Sequence, residues 1–447
     1  MMTDTSENVA EKLLSLSKKF GSEQAEVLIT RGSNVSVEVR DGELEQAEGS
    51  DGLNIYLRVI NDQKLASVSC TNTKMETLNQ LAKRANEIAN ESIPNPFVGL
   101  ADINDLTTTA TMPSIDLSEP EGLILKDPLK LKDLALKAEK AALNSEGISK
   151  TDGSSASASK NELFLATSNG FSNGYNKSVY TIVASAISTR DSMMERDHAF
   201  EQRVYFEDLP QPESVGMLAA ERAKLMQGAR KPVTGNYPVI FNERIASSIV
   251  SHILAAINGE AIARGSSWLL GDMDSKILPE NVNLIEDPHL PRLLGSKPFD
   301  TEGLMTSRKF FVQNGILKSW ILDLKTSRQL GLKSTGNATR SGSPGVSNIE
   351  LAGGNNTLNE LCQKAGEGLM VCSLIGSSIN QNSGDYSRGV TGFWFKGGEI
   401  THPVNECTIA GNLKEMIKDV VLANDSKPYL SRRVPSILVG NMTIAGN

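Results

Sequence analysis

The sequence predicts an α+β fold, in which an N-terminal helix–antiparallel sheet–helix region is followed by a β-rich C-terminal domain. Two patterns predict it. Short runs alternate apolar and polar residues, which is typical of strands that bury one face, and other stretches space apolar residues three and four apart, as amphipathic helices do. The two patterns do not alternate strictly along the chain, which argues against a parallel sheet of βαβ units. A chain of 447 residues can bury a large core without disulfide or metal staples.

The N-terminal domain is predicted to span residues 1–230 and to begin with a helix over residues 5–20, capped by Asp4 or Thr5. An antiparallel meander follows, with strands predicted over residues 25–30, 35–39, 53–59 and 64–70. Asp41-Gly42 supplies a hairpin turn between two of these strands. A second helix is predicted over residues 74–90, so the first unit reads helix, sheet, helix.

Residues 92–127 are rich in proline, threonine and serine, and we expect a linker-like stretch there. Beyond it, the patterns predict a helix over residues 129–143, strands between residues 149 and 206, and a helix over residues 212–227. Asn169-Gly170 and Asn173-Gly174 both match turn signals between those strands.

The C-terminal domain is predicted to span residues 231–447 and to begin with a short strand at residues 239–241. A helix is predicted over residues 242–257, where apolar residues recur at helical spacing and His252 lies just off the apolar stripe. Further elements are predicted as strands over residues 308–312, 316–322 and 437–439 and a late helix over residues 411–423. Glycine-rich turns fill much of the remainder, as expected for a β-rich domain.

Composition excludes several classes of protein. The net charge of −8 argues against a direct nucleic-acid binder, because phosphate contacts usually require a basic surplus. The apolar runs are far shorter than the roughly 20 residues that cross a bilayer, so no membrane association is expected. No paired spacing typical of a zinc ribbon or a disulfide framework occurs among the four cysteines, Cys70, Cys362, Cys372 and Cys407. Free thiols and the lack of an export signal predict a cytoplasmic location.

Motifs for common chemistries are missing from the sequence, which has no phosphate-binding loop, no H-E-x-x-H helix and no G-x-S-x-G elbow. The most suggestive polar cluster lies at residues 380–389, before an aromatic run. Ser383, Asp385 and Arg388 of this predicted loop are candidates for binding the backbone or carboxylate of a peptide. The alternative is a capped hairpin with an internal ion pair between Asp385 and Arg388.

An ordered set of segments resembles the TldD/PmbA family of metallopeptidase-like proteins, on its PmbA (TldE) side. The resemblance covers nearly the whole chain, and the segments that carry it are residues 24–30, 166–175, 297–303, 330–338, 384–394 and 440–446. In that family the TldD-type subunit holds zinc on a helix reading H-E-x-x-x-H, with a further ligand near the C-terminus.

The stretch that matches this zinc helix departs from the family pattern. Ser251 and Ala256 stand at the two histidine positions, and His252 stands at the glutamate position. Serine is a poor zinc ligand and alanine is none, and no cysteine lies beyond Cys407 to supply the further ligand. The resemblance therefore implies a degenerate zinc helix, with no catalytic residue, metal or other cofactor in this chain.

The resemblance also implies a partner and a substrate. PmbA-type chains pair with a TldD-type homologous subunit, which holds the zinc, and the heterodimer hydrolyses unfolded or modified peptides; an older name for the family is modulator of DNA gyrase. An isolated subunit is expected to self-associate through the surface meant for its partner. Two alternatives stay open: a stand-alone hydrolase with a site around His252 or Cys407, and a non-proteolytic binding protein of a toxin–antitoxin or gyrase-related pathway.

Overall fold

A computed structural model describes residues 5–120, 127–191 and 193–446. The N-terminal part contains a seven-stranded sheet in which all pairings are antiparallel. Its elements, in chain order, are α1 (Ser6–Lys19), β1 (Gln24–Arg40), β2 (Glu43–Asn61), β3 (Lys64–Cys70), α2 (Met75–Glu91), α3 (Pro128–Leu143), β4 (Ile148–Lys150), β5 (Ser154–Thr167), β6 (Ser172–Arg190), β7 (Met193–Arg203) and α4 (Pro212–Leu225). The strand order is β3-β2-β1-β5-β6-β4. β7 pairs with the edge of β6 that lies opposite β5.

All four helices pack on one face of this sheet, because side chains alternate between the two faces of a strand. Val27 and Ile29 of β1 meet α1 and α2, while Val37 and Val39 of the same strand meet α3. The other face carries the intervening residues, and its Leu28 and Leu165 pack against Phe171 and Phe299. That second face is therefore the one that meets the C-terminal part of the chain.

The C-terminal part contains a ring of strands and a smaller sheet. Its elements are β8 (Gly235–Phe241), α5 (Glu243–Ala256), α6 (Gly259–Ala263), β9 (Asn283–Glu286), β10 (Lys309–Gln313), β11 (Ile316–Leu317), α7 (Leu324–Leu330), β12 (Ile349–Ala352), α8 (Leu358–Ala365), β13 (Glu367–Ile379), β14 (Asp385–Lys396), β15 (Glu399–Asn412), α9 (Leu413–Lys418), β16 (Val421–Leu422), β17 (Arg432–Arg433) and β18 (Ile437–Ala445). The order β15-β14-β13-β8-β18 closes on itself because β15 also pairs with β18. The smaller sheet has the order β11-β10-β9-β12-β17. The predicted α+β class and the β-rich C-terminal region are confirmed.

Some local predictions were wrong. Asn173-Gly174 is not a turn but lies inside β6, where Gly174 pairs with Phe164. A side chain there would place its Cβ 2.6 Å from the carbonyl oxygen of Leu163, so glycine serves close strand packing at this position. The predicted strand over residues 316–322 is ordered as a strand only over Ile316–Leu317, and the predicted late helix shrinks to Leu413–Lys418.

The predicted linker-like stretch of residues 92–127 is described as far as residue 120, and its residues 121–126 lie outside the described residues. Within the described portion, a short 3₁₀ turn occupies Ile103–Asp105. The guanidinium of Arg328 in α7 donates hydrogen bonds to the carbonyl oxygens of Phe97, Gly99 and Leu100 at 2.7–3.2 Å. This stretch is thus tied to the C-terminal part of the chain. No helix in the described part of the chain is long and apolar enough to span a bilayer.

Candidate functional site

Helix α5 carries Ser251, His252 and Ala256, the three positions that the resemblance described above aligns with a zinc helix. Asn242 caps it by accepting a hydrogen bond from the backbone N–H of Arg244 at 3.2 Å. One apolar stripe anchors the helix in the main core, formed by Ala246, Ile249, Val250, Ile253 and Leu254. The sequence predicted this helix because those residues recur every three to four positions.

The three matching positions do not share one environment. Ser251 is exposed and donates its hydroxyl to the carbonyl oxygen of Ser247 at 2.9 Å. Ala256 is buried, and His252 is half-buried between them. On a regular helix five residues turn by about 140°, so positions 251 and 256 point in different directions.

Zinc does not fit this donor set. A structural or catalytic zinc ion takes three or four ligands from cysteine, histidine or carboxylate side chains, whereas His252 is the single such side chain among these three positions. Across residues 5–120, 127–191 and 193–446, no group of three or more His, Cys, Asp or Glu side chains is placed to hold a metal ion.

The polar segment of residues 380–389 is a hairpin end rather than a loop. The turn between β13 and β14 covers residues 380–384, where Gly384 adopts a φ of +79°. Asp385 and Arg388, which the sequence predicted to lie in a loop, belong to β14 and pair with Asn412 and Ile409 of β15. Glycine and small polar residues are typical of loops. Tyr386, Arg388 and Val390, however, recur at every second position, as side chains on one face of a strand do, and β14 extends into this segment.

Asp385 and Arg388 do not form the ion pair of the alternative, capped-hairpin interpretation, because residues three apart on a strand face opposite sides. The Asp385 carboxylate instead accepts hydrogen bonds from the Ser383 hydroxyl at 2.6 Å and from the Asn412 side-chain amide at 3.1 Å. These two contacts hold the pKa of Asp385 below its usual range. Ser383 and Asp385 therefore close the hairpin end and bond to each other.

Arg388, by contrast, lies beside His252 and Tyr386. The imidazole of His252 packs edge-on against the ring of Tyr386, with centroids 5.8 Å apart. Burial and, secondarily, the charge of Arg388 lower the pKa of His252, so its imidazole is neutral at physiological pH. Burial raises the pKa of Tyr386 to about 12, which keeps its phenol protonated.

Four polar atoms on α5 and β14 are buried without a hydrogen-bond partner among the residues that the structure describes: Ser248 Oγ, His252 Nε2, Tyr386 Oη and Arg388 Nε. The sequence singled out His252 and Arg388 separately, and the fold brings them together. Ser248 and Tyr386 were missed. Their spacing could have identified them. Ser248 lies four residues before His252 on a helix, and Tyr386 lies two residues before Arg388 on a strand, so each shares a face with its candidate.

Cys407 was the other candidate for a stand-alone hydrolase. It is buried on β15, and its thiol lies 3.6 Å from the carbonyl oxygen of Val390. Burial raises the pKa of Cys407 to about 11, so almost none of it is thiolate at neutral pH. Because the thiolate is the nucleophile, this environment is that of a structural cysteine.

A second concave feature lies on the face of the seven-stranded sheet that the helices leave uncovered. It is a cavity of about 340 Å³ where β1, β2, β5 and β6 meet, lined in part by Thr30, Gly32, Asn54, Leu163, Tyr175 and Lys177. The Lys177 ammonium donates hydrogen bonds to the carbonyl oxygens of Leu294 and Ser296 at 2.7 and 3.0 Å. One wall of this cavity is therefore fixed by the C-terminal part of the chain.

Comparison with known proteins gives one consistent result. Three family profiles match successive parts of the chain: PmbA/TldA metallopeptidase domain 1 at residues 25–89, the central domain at residues 122–227 and the C-terminal domain at residues 234–446. Metalloprotease PmbA of Escherichia coli O157:H7 is 35% identical over 428 residues, which is 95% of this chain and 93% of the relative.

Solved structures share the fold. A Bacteroides thetaiotaomicron protein described as a candidate modulator of DNA gyrase superposes with a TM-score of 0.92 at 24% identity, covering 100% of both chains. TldE of Thermococcus kodakarensis superposes with a TM-score of 0.83 at 22% identity, covering 98% of this chain and 100% of the other. With profile matches along most of its length and a relative of this identity, the chain belongs to the PmbA/TldD family of metallopeptidase-related proteins.

Proposed function

We propose that this chain is the PmbA/TldE-type subunit of a heterodimeric zinc peptidase, and that a TldD-type homologous subunit holds the zinc and performs the hydrolysis. The observation that carries the proposal is the donor set on α5, where Ser251, His252 and Ala256 offer one imidazole in place of two histidines and a glutamate. A zinc ion needs more ligands than this, and a carboxylate is the usual base for a zinc-bound water in such peptidases. The substrates are unfolded or modified peptides.

Peptide binding by this chain is supported by a free strand edge. On the side of β2 away from β1, β3 pairs only with residues Ile55 to Asn61, and residues 43–54 have no strand partner within the described part of the chain. An extended peptide can add to such an edge through main-chain hydrogen bonds, largely independently of its side chains. Ser383, Asp385 and Arg388 stay candidates for orienting the peptide.

Closure of an internal chamber is supported by the helix-free face of the seven-stranded sheet, which the C-terminal part of the chain covers around Leu28 and Leu165. The helices occupy the opposite face, and the cavity beside Tyr175 and Lys177 gives this face a concave shape. A homologous subunit that presents the same face would enclose a space between the two sheets. In isolation we expect two copies of this chain to associate through that surface.

The test is peptidase activity of the two chains, purified separately and then mixed. We expect chelator-sensitive cleavage of an unfolded model peptide from the mixture, strongly reduced for each chain alone, and co-elution of the two as one complex. Chelator-sensitive cleavage by this chain alone would overturn the proposal in favour of a stand-alone hydrolase. Complex formation without any gain in cleavage would favour a purely regulatory protein.

A further inference from the structure

We propose that Ser248, His252, Tyr386 and Arg388 form a carboxylate-binding site, which takes a carboxylate group of the peptide substrate. The inference rests on the proposed function, because it assigns a peptide carboxylate to Arg388, which that function keeps as a candidate for orienting the peptide. The carboxylate belongs either to the C-terminus of the peptide or to an acidic side chain. No zinc ion is involved in it.

The geometry places the four side chains on two adjoining elements. Ser248 and His252 lie one helical turn apart on α5, and Tyr386 and Arg388 lie two residues apart on β14, so each pair shares a face. The contact between the rings of His252 and Tyr386 joins the two faces at a centroid distance of 5.8 Å. The two pairs of polar side chains therefore meet where α5 contacts β14.

The unmet hydrogen bonds of these side chains point to a polar ligand. Ser248 Oγ, His252 Nε2, Tyr386 Oη and Arg388 Nε are all shielded from solvent, and none has a partner elsewhere in residues 5–120, 127–191 and 193–446. A buried polar group left unpaired destabilises a protein, so four such groups on two adjoining elements favour a ligand that bonds to several of them at once.

The charges select the type of ligand. The guanidinium supplies one positive charge, the imidazole is neutral and the phenol is protonated, so the site offers hydrogen-bond donors around a single cation. A carboxylate with its single negative charge matches this set, and arginine binds it with two parallel hydrogen bonds. The neighbouring acid, Asp385, faces the other side of β14 and bonds to Ser383 and Asn412, so it does not neutralise Arg388.

The side chains of the site border on solvent. Ser248, His252 and Arg388 are each only partly buried, although the four unpaired atoms themselves are covered. Tyr386 is 2% exposed and is the most deeply buried of the four, and its ring centroid lies 6.3 Å from that of Phe241. A carboxylate reaches the covered atoms when the partly exposed side chains of His252 and Arg388 move aside.

The experiment uses the four histidines of the full-length chain as reporters, since their ring signals can be labelled and assigned by single substitution. Acetate is titrated first, followed by a peptide with a free C-terminus and no acidic residue, the same peptide as its C-terminal amide, and that amide with one internal glutamate. We expect a saturable shift of the His252 signal with acetate. A response to the first peptide alone assigns the terminal carboxylate, and one to the glutamate peptide assigns a side chain.

Two variants make the result specific. Arg388→Gln is expected to weaken carboxylate binding at least roughly tenfold, because a charge-assisted hydrogen bond is lost. Tyr386→Phe keeps the ring packing, removes only the hydroxyl and is expected to weaken binding severalfold. Arg190→Gln, at an exposed arginine of β6, is the matched control and is expected to bind as tightly as the unmodified chain. Melting temperatures verify that each variant is folded.

The inference is overturned if no carboxylate shifts the His252 signal saturably, or if folded Arg388→Gln and Tyr386→Phe bind acetate and peptide as tightly as the control. The two proposals fail separately. If the mixed subunits cleave peptide but no carboxylate shifts the His252 signal, only the carboxylate site is refuted. If carboxylates shift the His252 signal but mixing gives no gain in cleavage, only the peptidase role is refuted.

Discussion

Arg244 of α5 and Asp197 of β7 form a two-point ion pair, with Nη2–Oδ1 and Nη1–Oδ2 distances of 2.8 and 3.1 Å. The pair joins the helix that carries His252 to the edge strand of the N-terminal sheet. Both side chains are mostly buried, at 21% and 15% exposure. Burial raises the pKa of Asp197, but the hydrogen bonds and charge of Arg244 more than offset it, so the net pKa is lowered.

Replacing Asp197 by asparagine should destabilise the protein at neutral pH. We expect Asp197→Asn to lower the free energy of unfolding by about 2–3 kcal/mol at pH 7, because Arg244 is left buried without its charge partner. A lowered folded-state pKa contributes stability above the ordinary value of 3.8, which is lost as the pH falls through the folded value. The difference between variant and unmodified chain should therefore shrink below that pH, as measured by urea denaturation.

The control for this prediction is Asp133→Asn. Asp133 pairs with Lys137 at 2.6 Å, but both side chains are about half exposed, so the loss should be much smaller. Equal losses in the two variants would show that the pair between Arg244 and Asp197 has no special role.

A buried acid gives a second prediction with the opposite pH dependence. Burial and then the negative charge of Asp300 raise the pKa of Glu302 to about 8. Because the folded-state pKa exceeds the ordinary value of 4.5, this group costs stability as the pH rises from 4.5 to about 8. Glu302→Gln should raise the free energy of unfolding by about 2 kcal/mol at pH 7 and change it little at pH 4.5.

Glutamine is a suitable replacement because its side-chain oxygen can keep the hydrogen bond that Glu302 accepts from the backbone N–H of Leu324 at 2.9 Å. Glu399→Gln, at an exposed position of β15, is the control and should change stability little at either pH. A destabilised Glu302→Gln variant at pH 7 would mean that the native protein needs this carboxylate ionised.

The third prediction concerns Gly216, where close helix packing and helix propensity have opposite effects on stability. Gly216 of α4 lies against α3, and an added Cβ would stand 2.0 Å from the carbonyl oxygen of Ala138. Alanine gains up to about 1 kcal/mol in helix propensity, but the clash requires the two helices to separate. We expect Gly216→Ala to lower the free energy of unfolding by about 2 kcal/mol overall. Gly49→Ala in β2, with nothing within 4 Å of the added atom, should be near neutral, and similar effects at both sites would refute the packing argument.

A fourth prediction concerns the thiol. If Cys407 is a structural residue, Cys407→Ala should leave the cleavage rate of the mixed subunits unchanged, and alkylation of Cys407 in the folded chain should be slow by mass spectrometry. If this substitution lowers the cleavage rate without changing the melting temperature, the alternative of a thiol-dependent hydrolase is supported.

Local patterns predicted most of the helices, because an amphipathic stripe such as that of α5 is formed by residues of one short stretch of sequence. Local patterns do not determine which distant strands pair, so the closure of the ring by β15 and β18 could not be predicted from the sequence. The hairpin end at residues 380–384 was misjudged because composition was weighed above the alternation that runs through Tyr386 and Arg388. The division of the chain between residues 230 and 231 stays a prediction.

For the candidate site, the sequence supplied residues but not their arrangement. His252 and Arg388 are 136 positions apart in the chain, and only the packing of α5 against the strand ring makes them neighbours. Ser383 and Asp385 looked equivalent to Arg388 in the sequence, yet the two-residue period of a strand turns Asp385 away from it. A search for i, i+4 and i, i+2 polar pairs around each candidate would have added Ser248 and Tyr386.

The central claim is that the metal chemistry belongs to the other subunit, and the most direct test disables one zinc helix at a time in the mixed complex. We predict that changing the glutamate of the partner's H-E-x-x-x-H helix to glutamine abolishes peptide cleavage, while Ser251→Ala in this chain leaves the rate intact. Cleavage that persists with the partner's helix disabled, and that a chelator still stops, would contradict the account.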